Sequence, residues 1–273
     1  MDATDGPPVL KLGVEDAIAG LALSTEAHWN QTEEDWRVFL HDGVVFGIRD
    51  GARLVATAAL LPYSGNNAWI SMVLVSATHR RRGLATRLVD ACLETARKNG
   101  LTSWLDATPD GVAVYGPLGF TPTLQLRRLK LVKSAQMATR PPSSATLEAL
   151  RARDRRATGL DRTALLSAFA QRPGSRIVSA NGAIALVRDG RTARHIGPVF
   201  ADHAAAALAL VNAVAQSQER PLLIDAVASQ AAFLEGLTAS GWTIERPFQR
   251  MRFGPATPAA EETPFAVAGP EFG

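Results

Sequence analysis

The chain has 273 residues, 47% apolar and 20% charged, and its 29 basic and 26 acidic residues leave a formal net charge of +3. This length allows two domains with their own cores, while the dispersed charge argues against nucleic-acid binding and the single cysteine, Cys92, excludes an intramolecular disulfide. No apolar run is long enough for a membrane span and the first residues do not resemble a signal peptide, so we expect a soluble, cytoplasmic protein.

The first 61 residues contain helical and strand patterns in a regular order. They predict a strand at 9–12, a helix at 14–29, a second helix that begins after Thr32, and strands at 44–48 and 54–61. Thr32 is a favourable helix cap because its hydroxyl can accept a backbone N–H of the first turn. Asp50-Gly51 is a hairpin turn signal, so we expect the last two strands to pair.

A third strand is predicted at 69–75, and it ends in the β-prone residues Val73, Leu74 and Val75. From Leu84 onward the apolar positions, which include Cys92, follow the spacing of a helix with one buried face. Residues 76–83 therefore precede a helix N-terminus. Unpaired N–H groups and the positive end of the helix dipole make such a terminus an anion site.

Arg80, Arg81 and Arg82 stand in this turn directly before Gly83. Guanidinium groups bind phosphate oxygens, and glycine allows a phosphate to approach the backbone closely. The alternative is a solvated basic loop at the start of a surface helix. Basic residues in a first turn oppose the helix dipole unless an anion compensates, so we favour a phosphate-binding turn. The chain lacks the Gly-x-x-x-x-Gly-Lys-Ser/Thr pattern of ATP-binding loops.

A further strand at 104–107 carries Asp106, and Tyr115 follows it four residues before Gly119-Phe120. Tyr115 is a candidate acid, and the alternative is a core tyrosine that packs under Phe120. Asp110 lies between a proline and a glycine, which favours a role as a turn former.

The strand, the Arg-x-x-Gly-x-Ala turn at 80–85 and the Tyr-x-x-x-Gly-Phe segment at 115–120 together resemble the GNAT acyl-CoA N-acetyltransferases. The resemblance implies an α/β fold with a twisted mixed sheet flanked by helices, acetyl-CoA as co-substrate, and no metal. It implies that the end of the strand and the turn bind CoA. The residues concerned are Val73, Leu74, Val75, Arg80, Arg81, Arg82, Gly83, Leu84, Ala85 and Thr86.

Acyl transfer to an amine needs two proton transfers. A protonated amine cannot attack a thioester until a base or a water chain takes its proton, and the departing thiolate benefits from an acid such as tyrosine. The resemblance assigns Tyr115 as the acid and suggests Asp106 as the base, although the family often has glutamate there. It puts the acceptor near the loop between the first two helices. There Trp29 could form an apolar wall and Asn30 a hydrogen-bond partner, but Asn30 could equally cap a helix.

The second half of the chain repeats the first in degraded form. The segments 70–75, 104–107 and 118–120 are echoed by 196–201, 222–226 and 240–242. The offset is 126 residues between Ile70 and Ile196 but 119 between Asp106 and Asp225, and the missing residues fall where the basic turn should be. Leu237 stands at the position of Tyr115. We therefore expect only the first half to bind CoA; chance similarity between two α/β halves is the alternative.

A linker-like composition divides the chain, and the repeat together with the resemblance implies tandem GNAT-like domains. We predict a CoA-binding domain at 1–133, a Pro- and Ser-rich linker at 134–145 and a degenerate GNAT-like domain at 146–253. The tail at 254–273 is expected to be irregular, with Phe265 and Phe272 as anchors. The sequence leaves the oligomeric state open, and this includes a homodimer.

The sequence thus predicts an acetyl-CoA-dependent N-acetyltransferase that acts by direct transfer on a small amine or amino-acid-like acceptor. One alternative is a non-catalytic acyl-CoA sensor, which would keep residues 80–85 but place no ionisable group near the thioester. Another is a protein N-acetyltransferase whose second half docks a partner. Nucleic-acid binding through the three arginines is disfavoured because no aromatic stacking platform accompanies them.

Overall fold

A computed structural model describes residues 6–132, 141–217, 221–255 and 260–273. The chain forms two compact units: unit 1 consists of residues 1–105 with Phe272, and unit 2 consists of Asp106–Glu271 with Gly273. Among the described residues, no helix combines the length and the apolar character needed to cross a membrane.

Unit 1 has one sheet with helices packed against it. Its elements are β1 (Leu10–Lys11), α1 (Ala17–Glu26), α2 (Glu33–Asp42), β2 (Val44–Asp50), β3 (Arg53–Tyr63), β4 (Asn67–Val75), α3 (Leu84–Lys98) and the start of β5 (Thr102–Ala107). The strand order is β1-β2-β3-β4-β5, with a parallel β4–β5 pair and otherwise antiparallel pairs. The element order is the predicted one. Thr32 caps α2 as expected, because its backbone N–H donates to Asp35 (2.8 Å) and its hydroxyl accepts from the Asp35 N–H (3.3 Å).

The predicted helix at 14–29 is shorter in the structure. Val14–Asp16 forms a 3₁₀ turn, in which the Asp16 carboxylate accepts the Gly13 N–H (3.0 Å) and pairs with Arg49. At the other end, α1 stops at Glu26 and His28 adopts a left-handed conformation with φ of +58°. Because Thr32 caps α2, Asn30 is not its cap.

The core of unit 1 is built from large side chains on α2 and the sheet. A Cβ on Gly20 would lie 2.5 Å from the Trp36 ring, so α1 and α2 approach closely at a glycine. Phe39 stacks on Phe272 with ring centroids 4.8 Å apart, and the Tyr63 hydroxyl donates to the Phe272 carbonyl (2.8 Å). Cys92 is buried in α3, and burial raises the pKa of its thiol, in keeping with an unreactive core residue.

Unit 2 also has a mixed sheet flanked by helices. After the end of β5 its elements are α4 (Pro109–Tyr115), β6 (Thr121–Leu131), β7 (Ser143–Ser144), α5 (Leu147–Thr158), α6 (Thr163–Ala170), β8 (Arg176–Ala180), β9 (Ala183–Arg188), β10 (Arg194–Ala201), α7 (Ala204–Gln216), β11 (Leu222–Val227), α8 (Ala231–Ala239) and β12 (Thr243–Phe253). The strand order is β12-β6-β11-β10-β9-β8-β7, and β10 and β11 are parallel while the other pairs are antiparallel.

Strand β6 sets the division between the units. It pairs with β11 over residues 126–131 and with β12 over residues 121–130, so it belongs to unit 2, although the sequence predicted it as the end of the first domain. Part of the predicted linker, residues 134–140, lies outside the described residues. Its end is not loose, because Ser143–Ser144 forms an edge strand that pairs with Val178 and Ser179.

Candidate active site

The turn at residues 76–83 joins β4 to α3, and we call it the basic turn. Arg81 and Gly83 are both left-handed, with φ of +61° and +72°. The hydrogen bonds of α3 begin with the Arg87 N–H donating to the Gly83 carbonyl (3.1 Å), so the N–H groups of residues 84–86 precede the helical ladder. A Cβ on Gly83 would meet nothing within 4 Å. These residues therefore fit a phosphate group, because donors and open space coincide at the positive end of the helix.

The three arginines of the basic turn are exposed. The Arg80 guanidinium donates to the Val75 carbonyl (3.4 Å) and the Arg82 guanidinium to the Thr78 carbonyl (3.0 Å). Arg82 also lines a cavity of about 560 Å³ together with Arg49 and Arg87. The turn thus combines backbone donors with a concentration of positive charge.

The carboxylate of Glu26, the last residue of α1, binds the start of the basic turn. The sequence did not suggest this contact. Glu26 accepts the Ala77 N–H (2.6 Å) and pairs with Arg53 (3.2 Å), and Arg53 in turn donates to the Ser76 hydroxyl (3.3 Å). The pKa of Glu26 is lowered, chiefly by the Ala77 N–H bond. The start of the turn is therefore held to α1 and β3 through a charged group.

Strand β4, which leads into the basic turn, pairs with β5 over only part of its length. β4 pairs with β5 only at Asn67–Trp69, opposite Thr102–Trp104, so the end of β4 continues past this contact. On the β3 side a bulge interrupts the ladder at Met72, whose φ is +50° and whose carbonyl accepts the Thr57 hydroxyl (2.9 Å). Bulges of this kind redirect the following backbone, here Val73, Leu74 and Val75.

In unit 2 the parallel strands β10 and β11 also separate after a short contact, and residues 265–267 occupy the gap between them. β10 and β11 pair only at Arg194–His195 and Leu222–Leu223, and beyond that point Ala266 forms bridges with Val199 and Ala226. The Val199 N–H donates to the Ala266 carbonyl (2.9 Å), and the Val267 N–H donates to the Asp225 carbonyl (3.0 Å). Phe265 secures this segment by packing on Phe233, with centroids 5.3 Å apart.

The connection between β10 and α7 confirms that the second half lacks a basic turn. Only Asp202 and His203 separate these elements, whereas residues 76–83 separate β4 from α3. Leu237, which replaces Tyr115 in the repeat, is fully buried in α8. In the described part of unit 2, this connection therefore offers no counterpart of the left-handed, arginine-rich turn.

Tyr115 is the last residue of α4 in unit 2, and its ring lies 5.8 Å from that of Phe120. Thr108 caps this helix, with its hydroxyl 3.4 Å from the Gly111 N–H, and Pro109 is its first residue. Asp110 was expected to form a turn, but it lies in the first turn of α4 because proline is well suited to the first helical position.

Asp106, the predicted base, forms an ion pair with Arg250. Its two carboxylate oxygens accept from Nε and a terminal nitrogen of Arg250, both at 2.8 Å, and its side chain is fully buried. Burial raises the pKa of Asp106, and Arg250 offsets this only in part. With both oxygens occupied by one guanidinium, the geometry favours a structural function over proton abstraction.

Comparison with known proteins identifies the family. A model described as "Acetyltransferase (GNAT) family" matches residues 16–120, and one described as "Acetyltransferase (GNAT) domain" matches residues 150–266. The chain belongs to the GNAT acetyltransferases. It is an N-acetyltransferase with two GNAT domains in tandem.

Similar proteins support this tandem arrangement. The uncharacterized N-acetyltransferase YitH of Bacillus subtilis (strain 168) is 23% identical over 254 residues, which cover 89% of each chain. A putative acetyltransferase from Pyrococcus horikoshii has a similar structure, with a TM-score of 0.82 at 20% identity over 99% of this chain and 97% of that chain. A tandem GNAT protein from the clavulanic acid biosynthesis pathway gives a TM-score of 0.67 at 17% identity over 92% and 100%. At these identities the structures show the shared fold.

In this GNAT protein the loop between α1 and α2 carries the predicted acceptor residues. Trp29 and Asn30 are half-buried, and the Trp29 N–H donates to the Ser24 carbonyl (2.9 Å). The next residue, Gln31, is 4% exposed and its Oε1 has no hydrogen-bond partner. On β4, the hydroxyl of Ser71 is likewise buried and unpartnered. Buried polar atoms are normally satisfied, so these two call for an explanation.

Proposed function

We propose that this GNAT protein transfers the acetyl group of acetyl-CoA directly to the amine of a small molecule or amino-acid-like acceptor. The basic turn is the observation that carries the proposal for the cofactor. It combines two left-handed residues, helix N–H groups outside the ladder, and open space above Gly83. A pyrophosphate is the part of CoA that such a turn would bind.

In the proposed reaction the neutral amine nitrogen attacks the thioester carbonyl carbon, the C–N bond forms and the C–S bond breaks. The amine loses a proton and the CoA thiolate gains one. Backbone N–H groups at the end of β4 are suited to polarise the carbonyl, and Tyr115 is the proposed proton donor. We leave Asp106 out of the proton transfer because Arg250 occupies both of its oxygens.

The first consequence is that one acetyl-CoA should bind per chain. Unit 2 has no basic turn between β10 and α7, and Phe265–Val267 fills the gap between β10 and β11. Isothermal titration calorimetry with acetyl-CoA is expected to give a stoichiometry near one. A value near two would contradict the assignment of the second half as a non-binding domain.

For the acceptor we propose the face of the sheet that carries Ser71. Directly opposed residues of antiparallel strands share a face, and so do alternate residues along one strand. Tyr63 opposes Asn67, which places Asn67, Trp69 and Ser71 on the face where Tyr63 contacts Phe272. Phe272 stacks on Phe39 of α2, so this face is the one covered by α2. Two unsatisfied oxygens, Ser71 Oγ and Gln31 Oε1, belong to β4 and to the loop before α2.

An acceptor that donates a hydrogen bond, as an amine does, would supply the partner that Ser71 Oγ lacks. Substituting Ser71→Ala is therefore expected to raise KM for the acceptor by about 2- to 10-fold, the equivalent of one neutral hydrogen bond. The dissociation constant for acetyl-CoA should not change. Steady-state kinetics on an acceptor found by screening would measure the first quantity, and calorimetry the second.

Ser103→Ala is the matched control for this substitution. Ser103 is also buried on a strand of unit 1 with an unpartnered hydroxyl. It neighbours Trp104, whose ring stacks on Trp69 at 6.1 Å, so Ser103 faces the opposite side of the sheet. KM should stay unchanged in this variant. An equal rise in both variants would assign the effect to general loosening of the sheet.

The proposal as a whole is tested by incubating the purified protein and acetyl-CoA with a broad panel of amines and measuring release of free thiol. Turnover with one or a few small amines supports it. Binding of acetyl-CoA without turnover on any amine would favour a sensor, and transfer only to polypeptide acceptors would favour a protein N-acetyltransferase.

A further inference from the structure

Two of the buried ion pairs in the described part of unit 2 lie at equivalent positions of the internal repeat. Asp106 accepts two hydrogen bonds of 2.8 Å from Arg250, and Asp225 accepts two of 2.8 Å from Arg128. Both carboxylates have no exposed side-chain area. Each guanidinium meets its carboxylate with two parallel N–H groups, the arrangement that gives such a pair its directional strength.

These pairs are related by the internal repeat, but each one joins opposite halves of the sequence. Asp106 and Asp225 occupy equivalent positions in β5 and β11. Arg128 and Arg250 occupy equivalent positions in β6 and β12, 122 residues apart, the same separation as between Phe120 and Trp242. Arg128 of the first half binds the aspartate of the second half, and Arg250 of the second half binds the aspartate of the first. Each half of the sequence therefore supplies the arginine that pairs with the aspartate of the other half.

The pair at Asp106 lies beside the helix that carries the proposed acid. Thr108, the cap of α4, follows Asp106 by two residues, and Tyr115 is the last residue of that helix. At the far end, the ring of Phe120 contacts Tyr115 at 5.8 Å and Phe253 of β12 at 5.5 Å. Strand β12 therefore holds both ends of the segment that bears Tyr115, through Arg250 at one end and Phe253 at the other.

The pair at Asp225 has no such neighbour. Leu237 replaces Tyr115 in the repeat, and Asp225 has a second partner in His195, whose Nε2 lies 2.9 Å from its carboxylate. Burial opposes ionisation of Asp225, but Arg128 and His195 outweigh it and lower the pKa of this carboxyl. The Asp106–Arg250 pair thus lies next to a candidate proton donor, whereas the equivalent Asp225–Arg128 pair does not.

We propose that Arg250 is a positioning residue for Tyr115, so that the second GNAT domain contributes to the chemistry of the first by holding Asp106 and the start of α4. This inference rests on the proposed role of Tyr115. It assigns Asp106 a positioning function instead of that of a base. It also gives the second domain a task that does not require it to bind acetyl-CoA.

The test compares Arg250→Met with Arg128→Met in the full chain. Both substitutions remove one guanidinium from a buried carboxylate, so both should lower the melting temperature, although Asp225 keeps His195 as a partner in Arg128→Met. Only Arg250→Met should speed amide hydrogen exchange in residues 107–118, by about tenfold or more, because only this pair holds that segment. This readout needs no acceptor and is independent of turnover.

Kinetics on an acceptor from the amine panel provide the second readout. Arg250→Met should lower kcat by about tenfold or more at saturating substrates while the dissociation constant of acetyl-CoA stays within about twofold, because only the proton donor is displaced. Arg128→Met should leave kcat unchanged. Arg250→Lys should recover part of the loss, since it restores the charge but not the two-pronged geometry.

Several outcomes separate this inference from the proposed function. Equal exchange rates in residues 107–118 for both methionine variants, or equal losses of kcat, would overturn the positioning role. An inactive wild-type protein would contradict the proposed function, but the exchange comparison would still decide whether Arg250 holds α4. If the methionine variants do not fold, the pair Arg250→Lys and Arg128→Lys gives the same comparison with the charge retained.

Discussion

Replacing Gly83 by glutamate is expected to weaken acetyl-CoA binding by about 100-fold or more. Gly83 borders the N–H groups at the start of α3, and the space beside it is open. A carboxylate there would occupy that space and repel the pyrophosphate. Charge-assisted hydrogen bonds contribute about 1.5–3 kcal/mol each, so the loss of two corresponds to at least a 100-fold change in the dissociation constant. Isothermal titration calorimetry measures this change directly.

Gly100→Glu is the matched control at the other end of the same helix. Gly100 is left-handed with φ of +64°, and a Cβ there would also meet nothing within 4 Å. Both substitutions carry the backbone cost of a left-handed residue, about 1–2 kcal/mol, and the same change in net charge. The control should bind acetyl-CoA within about twofold of the wild type. Undiminished binding by Gly83→Glu would show that the basic turn does not hold the cofactor.

The parts of the fold that local patterns encode could be predicted from the sequence. The Thr32 cap, the hairpin at Asp50-Gly51 and the helix that begins at Leu84 each depend on residues within a few positions of one another. The predicted helix at 14–29 was too long at both ends: residues 14–16 form a 3₁₀ turn whose Asp16 pairs with Arg49, 33 residues away, and α1 stops at Glu26 before the left-handed His28.

The features of the candidate site that the sequence did not predict are contacts between residues far apart in the chain. The family resemblance suggested Asp106 as the base, but it did not show that its carboxylate pairs with Arg250, 144 residues further along the chain. The described residues of the tail are irregular, as expected, and Phe265 and Phe272 are buried, but composition did not show that Ala266 bridges two strands of unit 2. Alignment of the two halves could have indicated the pairing of Asp106 with Arg250. The equivalent positions of the repeat carry the same residue types, Asp225 and Arg128.

The backbone beside the parallel strand pair is arranged differently in the two units. In unit 1, β4 continues past its last contact with β5 and leads into the basic turn. In unit 2, Phe265–Val267 supplies the backbone partners that the separated strands β10 and β11 would otherwise lack. Buried N–H and C=O groups need partners, so a segment of the same chain stabilises the separated strands of unit 2.

Substituting Tyr115→Phe is expected to lower kcat by about 100-fold or more, the range over which a positioned general acid contributes to a rate. The ring contact with Phe120 would persist, so the segment should keep its packing. The dissociation constant for acetyl-CoA should remain within about twofold of the wild type, because the basic turn is untouched. Steady-state kinetics on an acceptor from the amine panel, together with calorimetry, measure both quantities.

Tyr63→Phe is the natural control, because the chain has only two tyrosines. The Tyr63 hydroxyl donates to the Phe272 carbonyl, so its removal should cost about 0.5–1.5 kcal/mol of stability, visible as a lower melting temperature. Its kcat should match that of the wild type. If Tyr115→Phe retained full turnover, the acid would have to be another group or solvent. The positioning role inferred for Arg250 would then lose its chemical purpose, although the exchange data could still show that this residue holds α4.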